Sequence, residues 1–92
     1  MGACGALLMD AGGISAWVDE VRASTDGMFQ LNTWIPDPKP VRDFSNEKRV
    51  RDFLADWGPE VDPAAADKVA ANFDDQCEAM ISARPHVISS IM

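Results

Sequence analysis

The strongest constraint on the fold of this chain is that its apolar residues come in short unbroken runs, separated by stretches with helical periodicity. The runs are Cys4 to Met9 (CGALLM), Met28 to Ile35 (MFQLNTWI) and His86 to Met92 (HVISSIM). A strand covered on both faces reads as a run, whereas a strand with one solvated face alternates apolar and polar residues. No Asn-Gly or similar hairpin signal lies between the runs, and the intervals leave room for helical crossovers. Strand alternating with helix means βαβ units, hence an α/β fold around a parallel sheet. The expected strands lie near residues 4 to 9, 28 to 34 and 86 to 91, parallel and adjacent in chain order.

The helical stretches are read from caps and periodicity. Ser15 is expected to cap a helix over Ala16 to Ser24, with Trp17, Val18 and Val21 on one face and Asp19, Glu20 and Arg22 toward water. Ser45 or Asn46 can cap a second, in which Val50, Phe53, Leu54 and Trp57 fall at i, i+3, i+4 and i+7 before Gly58-Pro59 stops it. This is the clearest helical pattern in the chain. Asp62-Pro63 forms a cap and first-turn pair for a third region, striped by Val69, Phe73, Cys77, Met80 and Ile81 and ended by Arg84-Pro85. Periodicity leaves open whether that region breaks near Asn72. Pro36 to Phe44 (PDPKPVRDF) carries three prolines and is expected to be a loop at a strand's C-terminal end.

Composition narrows the function. With 47% hydrophobic and 25% charged residues, three Trp and four Phe, residues 1–92 read as one soluble globular domain or a piece of one. A net charge of -7 repels phosphate backbones and anionic lipid, so neither nucleic acid nor a membrane surface is an expected partner. The opening MGACGALLMDAGG has no positive region ahead of its apolar run, and Ala6 stands where an N-myristoylation motif needs Ser or Thr. The two cysteines, Cys4 and Cys77, make no disulfide framework, and no metal-ligand spacing is present, so a reduced cytoplasmic location without a metal is expected.

Parallel sheets place ligands beyond the carboxyl ends of their strands. That side holds Met9 to Gly13, Asn32 to Pro38 and whatever follows Ser89 to Met92, whereas His86 begins its strand at the opposite end and is expected to be solvated or capping. Asp74 and Asp75 are neighbours on a helix and do not face each other, so they make no paired-carboxylate site. Gly12-Gly13 lacks the flanking pattern of a phosphate loop and reads as a tight turn. No catalytic residue is assigned. Asn32 stands apart, because an amide inside an apolar run costs about 1–3 kcal/mol if it is buried unpaired. A structural bond to a neighbouring loop and contact with a ligand are both open to it.

The order GALLMDAGGISAWVDEVRASTDGMFQLNTWIP, DFLADWGPEV, FDDQCEAMISARPHVISSIM resembles the nitronate monooxygenase family, also called 2-nitropropane dioxygenases. The resemblance implies a partial (β/α)8 TIM barrel, with this chain supplying barrel strands two to four. It further implies an FMN-dependent oxidoreductase that oxidises alkyl nitronates with O2 and acts on small nitronate or quinone-like substrates. Asn32 matches the asparagine that contacts FMN on the family's third strand, and it is the one cofactor-binding position the resemblance carries over. Gln30, Thr33 and Trp34 depart from the smaller or plainer apolar residues usual there. The family's first strand, its Gly-Gly-His catalytic segment and its later glycine-rich phosphate loops have no counterpart, so this chain alone is expected to be inactive.

A three-stranded parallel sheet leaves two edges open, and the chain closes inside an apolar run, so it is expected to be a fragment, a truncated product or a subunit of a split barrel. The alternative from a different class is a non-catalytic acidic interaction module whose exposed strand edges drive self-association or bind a partner chain.

Overall fold

The computed structural model describes residues 1–91, so Met92, the end of the third apolar run, lies outside them. The chain forms two compact units, one made of Met1–Asp37 together with the chain from Ala70 onward, the other of Pro38–Val69.

The first unit contains strands β1 (Gly2–Gly5), β2 (Phe29–Trp34) and β3 (Val87–Ile91) with helix α1 (Ala11–Ser24) between the first two; helix α3 (Phe73–Ser82) precedes β3, and α2 (Phe44–Leu54) belongs to the other unit. The strands form one sheet in the order β1-β2-β3, and both pairings are parallel, as the α/β reading requires. In register, Cys4 lies beside Leu31 and Leu31 beside Ile88, while Gly5, Asn32 and Ser89 form the next row.

Buried residues from both helices and from the strands make one core. Ile14 and Val18 come from α1, Met80 from α3, and Cys4, Phe29 and Leu31 from the sheet, with Ala6 just beyond β1. Residues alternate between the two faces of a strand, so Cys4, Phe29 and Leu31 share a face, and both helices pack on it. Burying an aliphatic side chain the size of Ile14 or Leu31 contributes about 1.5–3 kcal/mol. Arg22 of α1 closes the end of α3, donating from Nη2 to the carbonyls of Ala83 at 2.6 Å and Arg84 at 3.3 Å, and its guanidinium lies 5.4 Å from the centre of the Phe29 ring. Those carbonyls are left over where the helix ends, and Arg84 turns the chain there in the left-handed region at φ 48°. The opposite face of the sheet, with Gln30, Asn32, Trp34, Val87, Ser89 and Ile91, carries no helix of this unit.

Several boundaries differ from the sequence expectation, each for a local reason. The first strand runs over residues 2–5 rather than 4–9, because Met9 N–H turns back to the Ala6 carbonyl at 3.0 Å and closes a turn. Leu7 and Leu8 are thereby turned outward, and Leu8 is 93% exposed. Helix α1 starts at Ala11 instead of Ala16, because Asp10 rather than Ser15 is the cap and accepts from Gly13 N–H at 2.7 Å. Gly12 and Gly13 therefore sit in a helical first turn, not in a tight turn. Asp43, accepting from Asn46 N–H at 3.0 Å, caps α2 in place of Ser45 or Asn46. The third helical region breaks: Asp62 caps only a short 3-10 helix, Pro63–Asp67, and α3 begins anew after Asn72, which accepts from Asp75 N–H. Val69 lies in neither helix and is 93% exposed.

In the second unit, Pro38–Val69, no residue is buried. The stripe of α2 forms over Val50, Phe53 and Leu54, but the helix ends at Leu54 rather than at Gly58-Pro59, so Trp57 lies in the turn beyond it; all four residues are exposed, with the Phe53 and Trp57 rings 6.1 Å apart. Local bonds hold this unit. Arg42 pairs with both carboxylate oxygens of Glu47 and, at 3.1 Å, with Asp67, and Lys48 pairs with Asp52 one helical turn on at 2.6 Å.

Candidate functional site

Asn32 is the fourth residue of β2, half-buried, and projects from the helix-free face near the carboxyl end of the strand. Its flanking neighbours Leu31 and Thr33 point the other way and are buried, which is how an amide fits into an apolar run without entering the core. Nδ2 donates to Ser89 Oγ in the adjacent row at 2.9 Å. A primary amide has two donors and one acceptor. That single bond leaves one amide hydrogen and Oδ1 without a partner among the described residues.

The backbone of Asn32 is tied to the segment that follows β1. Ala6 N–H donates to the Asn32 carbonyl at 2.7 Å, extending the β1–β2 pairing by one bond beyond the strand. The carbonyls of this segment are in turn gathered by Gln76 of α3. Its Nε2 donates to Met9 O at 2.7 Å, Leu7 O at 3.1 Å and, more weakly, Ala6 O at 3.4 Å. Gln76 is 4% exposed, so these bonds form largely out of water, where an unpaired amide would cost about 1–3 kcal/mol. Sequence reading missed Gln76, although a signal was present: it falls at i+3 from Phe73 and i-4 from Met80, a polar residue on an otherwise apolar stripe.

Thr33, one residue beyond Asn32, points toward the helices. It is 3% exposed, and Oγ1 has no hydrogen-bond partner among the described residues. Cys4 is buried on the same face, and burial pushes its thiol pKa up, which keeps it protonated and unreactive.

His86 lies at the amino end of β3, the end opposite Asn32. Its Nδ1 accepts from Phe29 N–H at 3.4 Å, its backbone N–H donates to Phe29 O at 3.1 Å, and its ring meets Phe29 edge-on at 6.0 Å. The imidazole thus completes the start of the β2–β3 ladder. A hollow of about 320 Å³ at this end is lined by Arg22, Thr25, Asp26, Gly27, Phe29 and His86. Arg22, its cationic wall, already bonds the end of α3.

At the other end, the first turn of α1 offers no anion cradle, because the Asp10 carboxylate occupies it and a side chain on Gly13 would meet Asp10 Oδ1 at 3.3 Å. In the second unit an open apolar hollow of about 250 Å³ lies between α2 and the 3-10 helix, bounded by Val50, Val61, Pro63 and Ala66. Among the described residues there is no cluster of three or more metal-ligating side chains and no helix long and apolar enough to cross a membrane. The chain matches no protein-family model, no curated protein and no solved structure.

Proposed function

We propose that the sheet unit is the strand-two-to-four portion of an FMN-dependent barrel of the nitronate monooxygenase kind, and that Asn32 holds one edge of the flavin ring. The observation that carries this reading is the placement of Asn32: near the carboxyl end of the middle strand, on the helix-free face, with a donor and an acceptor to spare. In a closed (β/α)8 barrel the helix-free face turns inward and the carboxyl ends form the ligand mouth. Consecutive parallel strands with helices on one face suit such a barrel, and half of a dinucleotide-binding fold contains the same run. The residues present fit an edge of the ring but not its phosphate, since the α1 terminus is filled by Asp10; the phosphate would be held by segments this chain does not contribute. FMN would supply the redox chemistry on the nitronate, and this chain would orient the ring.

The test is made on the chain combined with the remaining strands of such a barrel. Flavin should then bind saturably, and Asn32→Leu should weaken it by about 1–3 kcal/mol, five- to hundred-fold in affinity. Asn32 also bonds Ser89, so a purely structural role predicts a lowered melting temperature without flavin and unchanged FMN affinity. That outcome would sink the cofactor role. The isolated chain should bind FMN only weakly, because one hydrogen bond contributes about 0.5–1.5 kcal/mol net.

The alternative reading, an acidic interaction module, draws on the open outer edges of β1 and β3 and on Val87, Ile88 and Ile91, each at least 40% exposed. Concentration-dependent self-association in the absence of flavin, abolished by charged substitutions on β3, would favour it.

A further inference from the structure

We infer that the row Gly5–Asn32–Ser89 is a site for a planar heteroaromatic ring: the ring lies over Gly5 and meets the Asn32 amide with its edge, and Ser89 is the positioning residue that aims that amide. The flavin identity of the ring rests on the proposed function. The three residues are register partners on adjacent strands, and the preceding residues Cys4 and Leu31 are buried under the helices, so the row presents to the helix-free face. Asn32 Nδ2 donates to Ser89 Oγ at 2.9 Å, which turns that arm of the amide toward β3 and leaves Oδ1, on the other arm, directed away from β3. On the other side of β2 lies β1, where the position in register with Asn32 is Gly5. Glycine in a strand weakens it and marks a bulge, a tight bend, or the close approach of a ligand or another backbone. Gly5 has no conformational reason, because its φ is not positive and the ladder runs on in regular register through Ala6. Packing does not require it either, since a Cβ there would meet no atom within 4 Å among the described residues. The space over Gly5 is open, and a ring beside Asn32 would fill it. The rows of this face carry no charged residue, and Trp34 and Ile91 stand half-exposed in the row beyond, toward the carboxyl end. Ring ligands are bound by apolar surfaces with a few placed polar groups, and those groups here are Oδ1 and the second Nδ2 hydrogen of Asn32.

The experiment uses the chain as it is, isotopically labelled, with millimolar FMN as the probe, and compares wild type with Gly5→Val, Ser89→Ala and Ser89→Thr. In wild type, FMN should shift the Gly5 backbone amide and the Asn32 side-chain amide along one common titration curve. Gly5→Val fills the space without a clash, so its melting temperature should hold while FMN affinity falls by about tenfold or more. Ser89→Ala releases the amide: the Asn32 Nδ2 signals should move before any ligand is added and FMN affinity should fall about threefold, and Ser89→Thr, which keeps the hydroxyl, should restore both. An unchanged Ser89→Ala would overturn the positioning role. Undiminished FMN affinity in Gly5→Val, or a melting temperature that falls with it, would overturn the inference while the Asn32 response left the proposed function standing. Shifts at Gly5 that follow protein concentration instead of FMN would assign the face to a second copy and overturn the ring site. A wild type with no response at Asn32 would overturn both the inference and the proposed function.

Discussion

The two units of this chain carry equally legible hydrophobic patterns and use them in opposite ways. In the sheet unit, every residue of the apolar core is buried against a partner element: Ile14 and Val18 of α1 and Met80 of α3 cover Cys4, Phe29 and Leu31. In the second unit the spacing is as regular, with apolar residues at i, i+3 and i+4 on α2 and at i+7 in the turn that follows it, and none of them is buried. Its helix rests on the Asp43 cap, the Arg42–Glu47–Asp67 cluster and the Lys48–Asp52 pair. Periodicity therefore reports that a helix can form with an apolar face, while burial of that face depends on a surface to pack against. Short isolated helices are marginal in water, so the second unit should be the weaker of the two.

The largest test of this contrast is truncation on each side. Leu31→Ala removes a fully buried side chain and should cost about 2–5 kcal/mol in urea denaturation. Phe53→Ala, at a residue 63% exposed, should cost no more than about 0.5 kcal/mol. Equal losses would mean that the α2 stripe is covered in solution, and the contrast would fail. A finer test lies inside the core. Thr33→Val replaces a buried, unpartnered hydroxyl by a methyl group of similar shape and should stabilise the sheet unit by about 1 kcal/mol. A loss on that substitution would show that the hydroxyl has a partner.

The smallest effect should be electrostatic and confined to the second unit. Arg42 holds the Glu47 carboxyl below its usual range, chiefly by direct hydrogen bonding and against a smaller opposing desolvation. A carboxylate whose folded pKa is depressed contributes stability that is complete above its unfolded value, about 4.3, and is lost as pH falls through the lower folded value. Acidification should accordingly fray α2, seen in the backbone chemical shifts of residues 44–54, before the strands of the sheet unit change. Added salt should weaken the same contacts because both side chains are partly exposed. Glu47→Gln should remove this step, and acid fraying that persisted in the variant would assign it to other carboxylates.

Much of the fold was legible because it depends on short-range pattern. Continuous apolar runs implied strands in a parallel sheet, and the three strands pair in parallel and in chain order; the expectation that both faces are covered fails, because the helices of this unit pack on one face only, so β2 alternates buried and less buried residues and no residue of β3 is buried. The boundaries failed where several good caps competed within a few residues. Asp10 and Ser15 both suit an N-cap, and so do Asp43, Ser45 and Asn46; the caps used are Asp10 and Asp43, and at Asp10 the preceding chain is held in place by the Met9-to-Ala6 turn and the Gln76 bond to the Met9 carbonyl. Asn32 could be singled out because an amide in an apolar run is a local anomaly. Ser89 could not be named as its partner, since register between strands fifty-seven residues apart is a tertiary property.

The sequence by itself determined the alternation of strand and helix, the exposed acidic surface implied by a net charge of -7, and the presence of one amide where the core pattern calls for an apolar side chain. Tertiary structure alone decided which apolar faces are buried, that Leu7 and Leu8 leave the strand, that Gln76 is a loop clamp rather than a surface residue, and that Asn32 projects from the helix-free side of the sheet. The physical reason is range. Backbone periodicity, caps and side-chain alternation act over a few residues and are written in neighbouring letters, whereas burial and amide pairing depend on which distant surface arrives to exclude water.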